Sequence, residues 1–210
     1  HINQLINFIK KLKSISIKVN YNKIDHASEA CLSYEILNDQ IEKRFNNLLD
    51  LNIDKNLNFF LKNKLFPLWN LIKENYFQSK LSSSKQTILP PTSQILSPSD
   101  FGFHNIILKN KKLHFIDFEY FGWDDPVKLT SDFIWHPSTQ ISNRLEIYWI
   151  NSMIKIFNKD KDFQSRLIFL MPFYSIRWIL IILNVYLPNN YVKKIKALNL
   201  NISGKNTIIN

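Results

Sequence analysis

The chain of 210 residues is 45% hydrophobic and 14% aromatic, enough to bury a substantial core, which excludes an intrinsically disordered polymer. Its formal charge of +10 comes mostly from lysines scattered among Asn and Ile, so Lys10-Lys11 and Lys193-Lys194 read as solvated helix faces and no nucleic-acid partner is expected. A single cysteine, Cys31, excludes an internal disulfide, and with only three glycines, Gly102, Gly122 and Gly204, a glycine-rich phosphate loop is excluded as well.

The apolar residues Ile2, Leu5, Ile6, Ile9 and Leu12 recur at the spacing of one helix face and predict a first helix. A second is expected to start after Asp25 as N-cap and to run to about Leu49, carrying Ala27, Ala30, Cys31, Tyr34, Leu37, Ile41, Phe45 and Leu48 along one side. Cys31 is thereby a small core residue in a reducing, cytoplasmic setting. Asp54 is placed to cap a third helix with the stripe Leu57, Phe60, Leu61, Leu65, Leu68 and Ile72, which Pro67 must kink or interrupt. Ser82-Ser83-Ser84 and Pro90-Pro91 then predict an exposed connection. Ile106–Leu108 and Leu113–Phe118, separated by a polar Lys-Asn-Lys-Lys stretch, read as a β-hairpin and as the only strands.

Asp125-Pro126 has the N-cap and N1-proline arrangement that opens a helix, and His136-Pro137 closes it. Further helices are expected over Ile141–Phe157, Asp162–Tyr186 and Asn190–Leu198, with residues 202–210 a frayed tail. The most apolar stretch, Leu167–Leu187, contains Pro172, Arg177 and Asn184, so it reads as a buried core helix and not as a membrane span. The fold class that follows is mainly α with a short β-hairpin. His1 opens the chain without a secretory pattern, and the start reads as a truncated or processed end.

Chemistry concentrates in LSPSDFGFHNIILKNKKLHFIDFEYFGWDDP, Leu96 to Pro126. Asp100 lies on a glycine-containing loop, Asn105 follows at the start of the hairpin, and Asp117 arrives on the returning strand. A short hairpin brings three oxygen-bearing side chains to one end, which suits a hard cation such as Mg2+. Asn105 and Asp117 would be its ligands, leaving Asp100 free to accept the proton of an attacking hydroxyl.

The same residues carry a resemblance. The order of Asp100, Asn105 and Ile116-Asp117-Phe118 resembles the D-x-x-x-x-N catalytic loop, hairpin and metal-binding Asp of the aminoglycoside phosphotransferase and choline kinase superfamily, itself similar in plan to protein kinases. The resemblance implies a kinase-like C-terminal lobe over residues 1–201, with the catalytic segment at 96–126 and the N-terminal nucleotide-binding lobe absent. It implies an ATP-dependent kinase that transfers a phosphoryl group to a small-molecule hydroxyl, with Asp100 as catalytic base, Asn105 and Asp117 as metal ligands, and ATP and Mg2+ as cofactors. Pro98 stands where the family has His, leaving Ser97, Ser99 and His104 as candidates to brace the loop in its place. A catalytically inactive pseudokinase or small-ligand binding module is the alternative that this departure motivates.

Other polar residues have structural readings. Asp117 is expected at a buried strand end, where a carboxylate must be paired or bind metal. Asp124 or Asp125 caps the following helix, and Asp132 could brace the catalytic loop. Arg177, in an apolar helix, needs a carboxylate partner from among Glu119, Asp125 and Asp132. His104 reads as a hydrogen-bonding brace, while His114 and His136 have no partner at zinc-ligand spacing. The tryptophans read as packing residues, with Trp123 close enough to the site to stay open as a ligand platform.

Overall fold

The first apolar stripe winds as expected into helix α1, Ile2–Ser16, which buries Leu5, Ile6, Ile9 and Leu12. In the computed structural model, residues 1–49, 55–79 and 88–187 are described. The expected cap at Asp54, the Ser82–Ser84 loop, the helix over Asn190–Leu198 and the 202–210 tail lie outside them. Helix α1 is tied to the site at both ends. Gln4 donates to Lys111 O at 2.9 Å and accepts from Leu113 N at 2.9 Å, while Ser16 Oγ accepts from Leu96 N at 2.9 Å.

The second helix begins later than its stripe predicts. Helix α2 spans Tyr34–Leu49, and Ser33, not Asp25, caps it, its Oγ accepting from Ile36 N at 3.3 Å. Residues 25–31 instead run beside a strand. Trp123 N donates to Asp25 O at 3.0 Å, Ala27 N to Trp123 O at 2.9 Å and Cys31 N to Asp124 Oδ1 at 3.0 Å. The polar backbone of this segment is satisfied across the chain, so the local helix pattern of Ala27, Ala30 and Cys31 is overridden. Cys31 is nevertheless buried, and burial pushes its thiol up to about 12.

The third helical run is continuous from α3, Lys55–Phe60, through one π-helical turn, Leu61–Leu65, into α4, Phe66–Phe77. The widened turn closes with Phe66 N donating to Leu61 O. It spreads the backbone just before Pro67, whose ring would clash with a regular preceding turn. Pro67 therefore reshapes the helix without ending it.

Among the described residues two strand pairs are present where one was expected. Strands β2, Ile106–Lys109, and β3, Lys112–Phe115, form the hairpin, paired Ile106 to Phe115 and Lys109 to Lys112. Its turn places Asn110 and Lys111 at φ 50° and 61°, the left-handed pair of a tight hairpin turn. The returning strand stops at Phe115, short of the expected Phe118, because Asp117 adopts φ 62° and leaves the extended path. The missed pair is β1, Ile95–Ser97, with β4, Gly122–Asp124, antiparallel with Leu96 opposite Trp123. Strands of three residues carry too little alternation to be read from sequence. Gly122 is needed there, since a Cβ would lie 2.5 Å from both Ala27 N and Asp25 O.

Helix α5, Pro126–Trp135, starts as expected, with Asp125 Oδ1 accepting from Val127 N at 2.8 Å, and ends at His136. Helices α6, Asn143–Ile156, and α7, Phe163–Leu183, complete the described chain, and a 3-10 turn over Asn184–Tyr186 follows. Helix α7 packs on α2, α4 and α5 and buries Phe173, Tyr174, Ile176 and Leu180 in the core. With its trailing turn it forms a run of 24 residues at mean hydropathy 1.8, long and apolar enough by those criteria to cross a bilayer. In this fold it carries a paired arginine, Arg177, at 4% exposure.

Candidate functional site

The loop between β1 and β2 is held open by its own backbone. Ser99 takes φ 65°, its N–H donating to Ser97 Oγ at 3.1 Å and its Oγ to Ser28 O at 2.9 Å. Lys128 Nζ reaches the same Ser99 Oγ at 3.2 Å. These bonds aim the following residue, Asp100, into a cleft of about 490 Å3 walled by Arg44, Tyr120, His136 and Trp178.

Asp100 and Asn105 are brought together as their spacing predicts. Asn105 Nδ2 donates to Asp100 O at 3.0 Å and to its Oδ2 at 3.3 Å. With the nitrogen turned inward, the side-chain oxygen of Asn105 is left without a hydrogen-bond donor among the described residues. Asp117 is drawn to the same end of the hairpin by a backbone bond from Ile116 N to Asn105 O at 3.0 Å. Its setting differs from the expected one. Asp117 is exposed, not buried, and its carboxylate has neither hydrogen bond nor ion pair among the described residues. Its negative charge is still felt at the exposed Tyr120, whose phenol is raised by Glu119 first and then by Asp117 and Asp100.

His104 braces the loop directly at Asp100, its Nε2 lying 3.0 Å from Asp100 Oδ2. Ser97 and Ser99 share the task by fixing the backbone. A residue that spacing could not reveal joins them. His136, at the end of α5, stacks on His104 with ring centroids 4.2 Å apart and planes 6° apart, and its Nε2 faces Asp100 Oδ1 at 3.7 Å. Burial first, then His104, lowers the pKa of His136 below its ordinary value.

Asp100, His104 and His136 present ligand-type atoms within 4.8 Å of one another, yet their chemistry does not suit a transition metal. Imidazole lone pairs lie in the ring plane, and two parallel stacked rings send them side by side instead of toward one ion. Ser138 N also donates to His136 Nδ1 at 3.0 Å. Neutral His136 must then carry its proton on Nε2, the atom a metal would need bare.

Beneath the loop lies a buried charge network. Lys128 pairs with Asp124 at 2.9 Å and with Asp132 at 3.4 Å, all three essentially solvent-free. Burial opposes the charge on Lys128, but the two carboxylates outweigh it and its pKa is raised. Arg177 reaches Asp132 at 3.5 Å, one of its expected partners, and also Glu29 at 2.7 Å and Gln40 at 3.0 Å. Glu29, at φ 54°, is shared with Arg44. Asp125 serves a different pair, with Arg166 at 3.2 Å. Asp132 also accepts from Trp178 Nε1 at 2.7 Å, so it braces the cleft wall. Trp123 is buried and donates to Tyr21 O at 3.1 Å, which makes it a packing residue. Lys128 and Glu29 were not foreseen, because only the folded chain brings them to the site.

No protein-family model, curated protein or solved structure matches this chain.

Proposed function

We propose that residues 1–201 form the C-terminal lobe of an ATP-dependent phosphotransferase of the aminoglycoside phosphotransferase and choline kinase type, acting on a hydroxyl of a small molecule. The observation that carries this reading is the placement of three oxygen-bearing residues, Asp100, Asn105 and Asp117, at the open end of one hairpin. Asp100 is bonded to Asn105, Asn105 keeps its side-chain oxygen free, and Asp117 keeps an unpaired carboxylate one residue beyond the bond between Ile116 and Asn105.

Two free oxygen donors fit Mg2+, which retains several waters and takes one or two protein ligands beside nucleotide phosphates. Asn105 and Asp117 would hold it, and the bound ion would offset the charge that develops on the transferred phosphoryl group. Asp100 faces the cleft, where it would accept the proton of the acceptor hydroxyl. Arg44 on α2 and Trp178 on α7 line that cleft, so these helices would set the acceptor preference. Cover for ATP would come from a strand-rich lobe that the described residues do not contain. A cytoplasmic, reducing location agrees with the lone buried Cys31. The reading needs neither nucleic acid nor membrane as a partner.

Transfer from ATP to a panel of hydroxyl compounds, measured on the full-length protein with Mg2+, tests it. Asp100→Ala is expected to lower turnover by about 10²–10⁴-fold. Equal turnover in both forms overturns the reading. Pro98 favours a second reading, a pseudokinase or ligand-binding module, and inert protein that is still stabilised by small hydroxyl ligands would select it.

A further inference from the structure

The two stacked imidazoles beside Asp100 are held from behind as well as in front. Ser138 Oγ lies between the far sides of both rings, 2.7 Å from His136 Nδ1 and 3.3 Å from His104 Nδ1, with one hydroxyl proton to give to either. On the near side both Nε2 atoms face the same carboxylate, His104 on Oδ2 and His136 on Oδ1. The rings come from two different segments, one from the loop after β1 and one from the C-terminus of α5. Trp178 of α7 packs edge-on against His136, with ring centroids 4.7 Å apart, and fixes it from the side.

Gly102 shows how closely this arrangement is built. A Cβ there would lie 2.8 Å from His104 Nδ1 and 3.0 Å from Ser138 Oγ, so the missing side chain is what lets the ring and the hydroxyl meet. Its φ is −153°, which any residue adopts, and its value at this position is the space it leaves.

We propose that His104 and His136, stacked on each other beside Ser138, form a two-ring clamp in which His104 holds Asp100 Oδ2 by a hydrogen bond while His136 fixes the His104 ring and faces Oδ1 at 3.7 Å, and that this clamp takes the place of the bracing histidine missing at Pro98. The proposal rests on the reading of Asp100 as the catalytic base. His104 and His136 are positioning residues, acting on the acceptor only through Asp100. A carboxylate free to rotate spends less time aligned with the acceptor hydroxyl, whereas one held at Oδ2 by a ring that cannot itself turn is pre-oriented and loses no time to realignment. The stacked rings restrict each other, so the clamp should fail when either ring is removed.

Steady-state kinetics of the full-length protein and imidazole ¹⁵N NMR of the same protein test it together. His104→Leu is expected to lower kcat by about 10–100-fold, the range seen when a supporting hydrogen bond behind a reacting group is removed. KM for ATP and acceptor should stay within about twofold, because His104 is not among the residues that line the cleft. His104→Gln, whose amide nitrogen can reach Asp100 Oδ2, should recover most of the loss. Unchanged kcat in His104→Leu, or no recovery in a folded His104→Gln, overturns the clamp. The NMR arm stands apart from catalysis. Asp100→Asn should shift the Nε2 signals of both rings, and Ser138→Ala should shift both Nδ1 signals. Both sets unmoved overturns the clamp whether or not the protein transfers phosphate. An inactive wild-type protein with the expected shifts instead overturns the reading of Asp100 as base and leaves the clamp supported as a structural unit.

Discussion

At His136, burial and a second imidazole act in the same direction on one proton. The folded-state pKa is depressed below the ordinary 6.5, so the folded protein resists a proton that the unfolded chain accepts. The stability this contributes is complete above pH 6.5 and is lost as pH falls through the lower folded value. Thermal midpoints across pH 7.5 to 5 should fall more steeply for the wild type than for His136→Gln, and parallel curves would contradict this. Asp117 offers a second separation, since its left-handed backbone is free for glycine, tolerated by Asp and costly for Ala. Asp117→Gly should fold at least as stably as the wild type in urea while losing metal binding, whereas Asp117→Ala should lose about 1 kcal/mol. Asp100 and Asn105 were legible from spacing because five residues of loop leave little choice about their meeting. His136, Ser138 and Lys128 were not, since each arrives from another element and no local pattern records which one.

At the scale of the element, the start of α2 and the pairing of β4 are one event. Residues 25–31 look helical by periodicity, but their N–H and C=O groups are claimed by Trp123, Tyr120 and Asp124. The stripe from Tyr34 onward was legible because helix-internal hydrogen bonds sustain it without help. The π-helical turn before Pro67 was legible only as a disturbance, since a proline announces a missing donor but not how the backbone absorbs it. Ser33→Ala, which removes the cap, should destabilise the fold by about 1 kcal/mol in urea unfolding. Gly122→Ala forces a Cβ against backbone atoms that cannot move aside, and it should lose more, up to about 3 kcal/mol. If Gly122→Ala proved neutral, the close approach of residues 25–27 to β4 would be wrong.

Across the whole molecule, the long-range links converge beneath the loop. Helix α1 grips the hairpin through Gln4, α5 supplies Lys128 and Asp132, and α7 supplies Arg177 and Trp178. The need for a partner to Arg177 was legible from an arginine in an apolar helix, and Asp132 was among the expected partners. Glu29 was not, because its strained backbone lies in a segment expected to be helical. Arg177→Met would leave Asp132 and Lys128 buried with an altered charge balance. It should reduce stability by about 3–5 kcal/mol, measured by denaturant unfolding.

The central claim is that the open end of the hairpin holds a hard cation beside Asp100, and this can be measured without knowing the acceptor. Mn2+ in place of Mg2+, titrated with ATP into the ¹⁵N-labelled chain, broadens NMR signals near the bound ion. The Asn105 side-chain amide and the Asp117 backbone amide should broaden first, excess Mg2+ should restore them, and Asp117→Asn should weaken the effect. Broadening that spares both residues, or that spreads evenly over exposed acidic residues such as Glu119 and Asp162, would contradict the account.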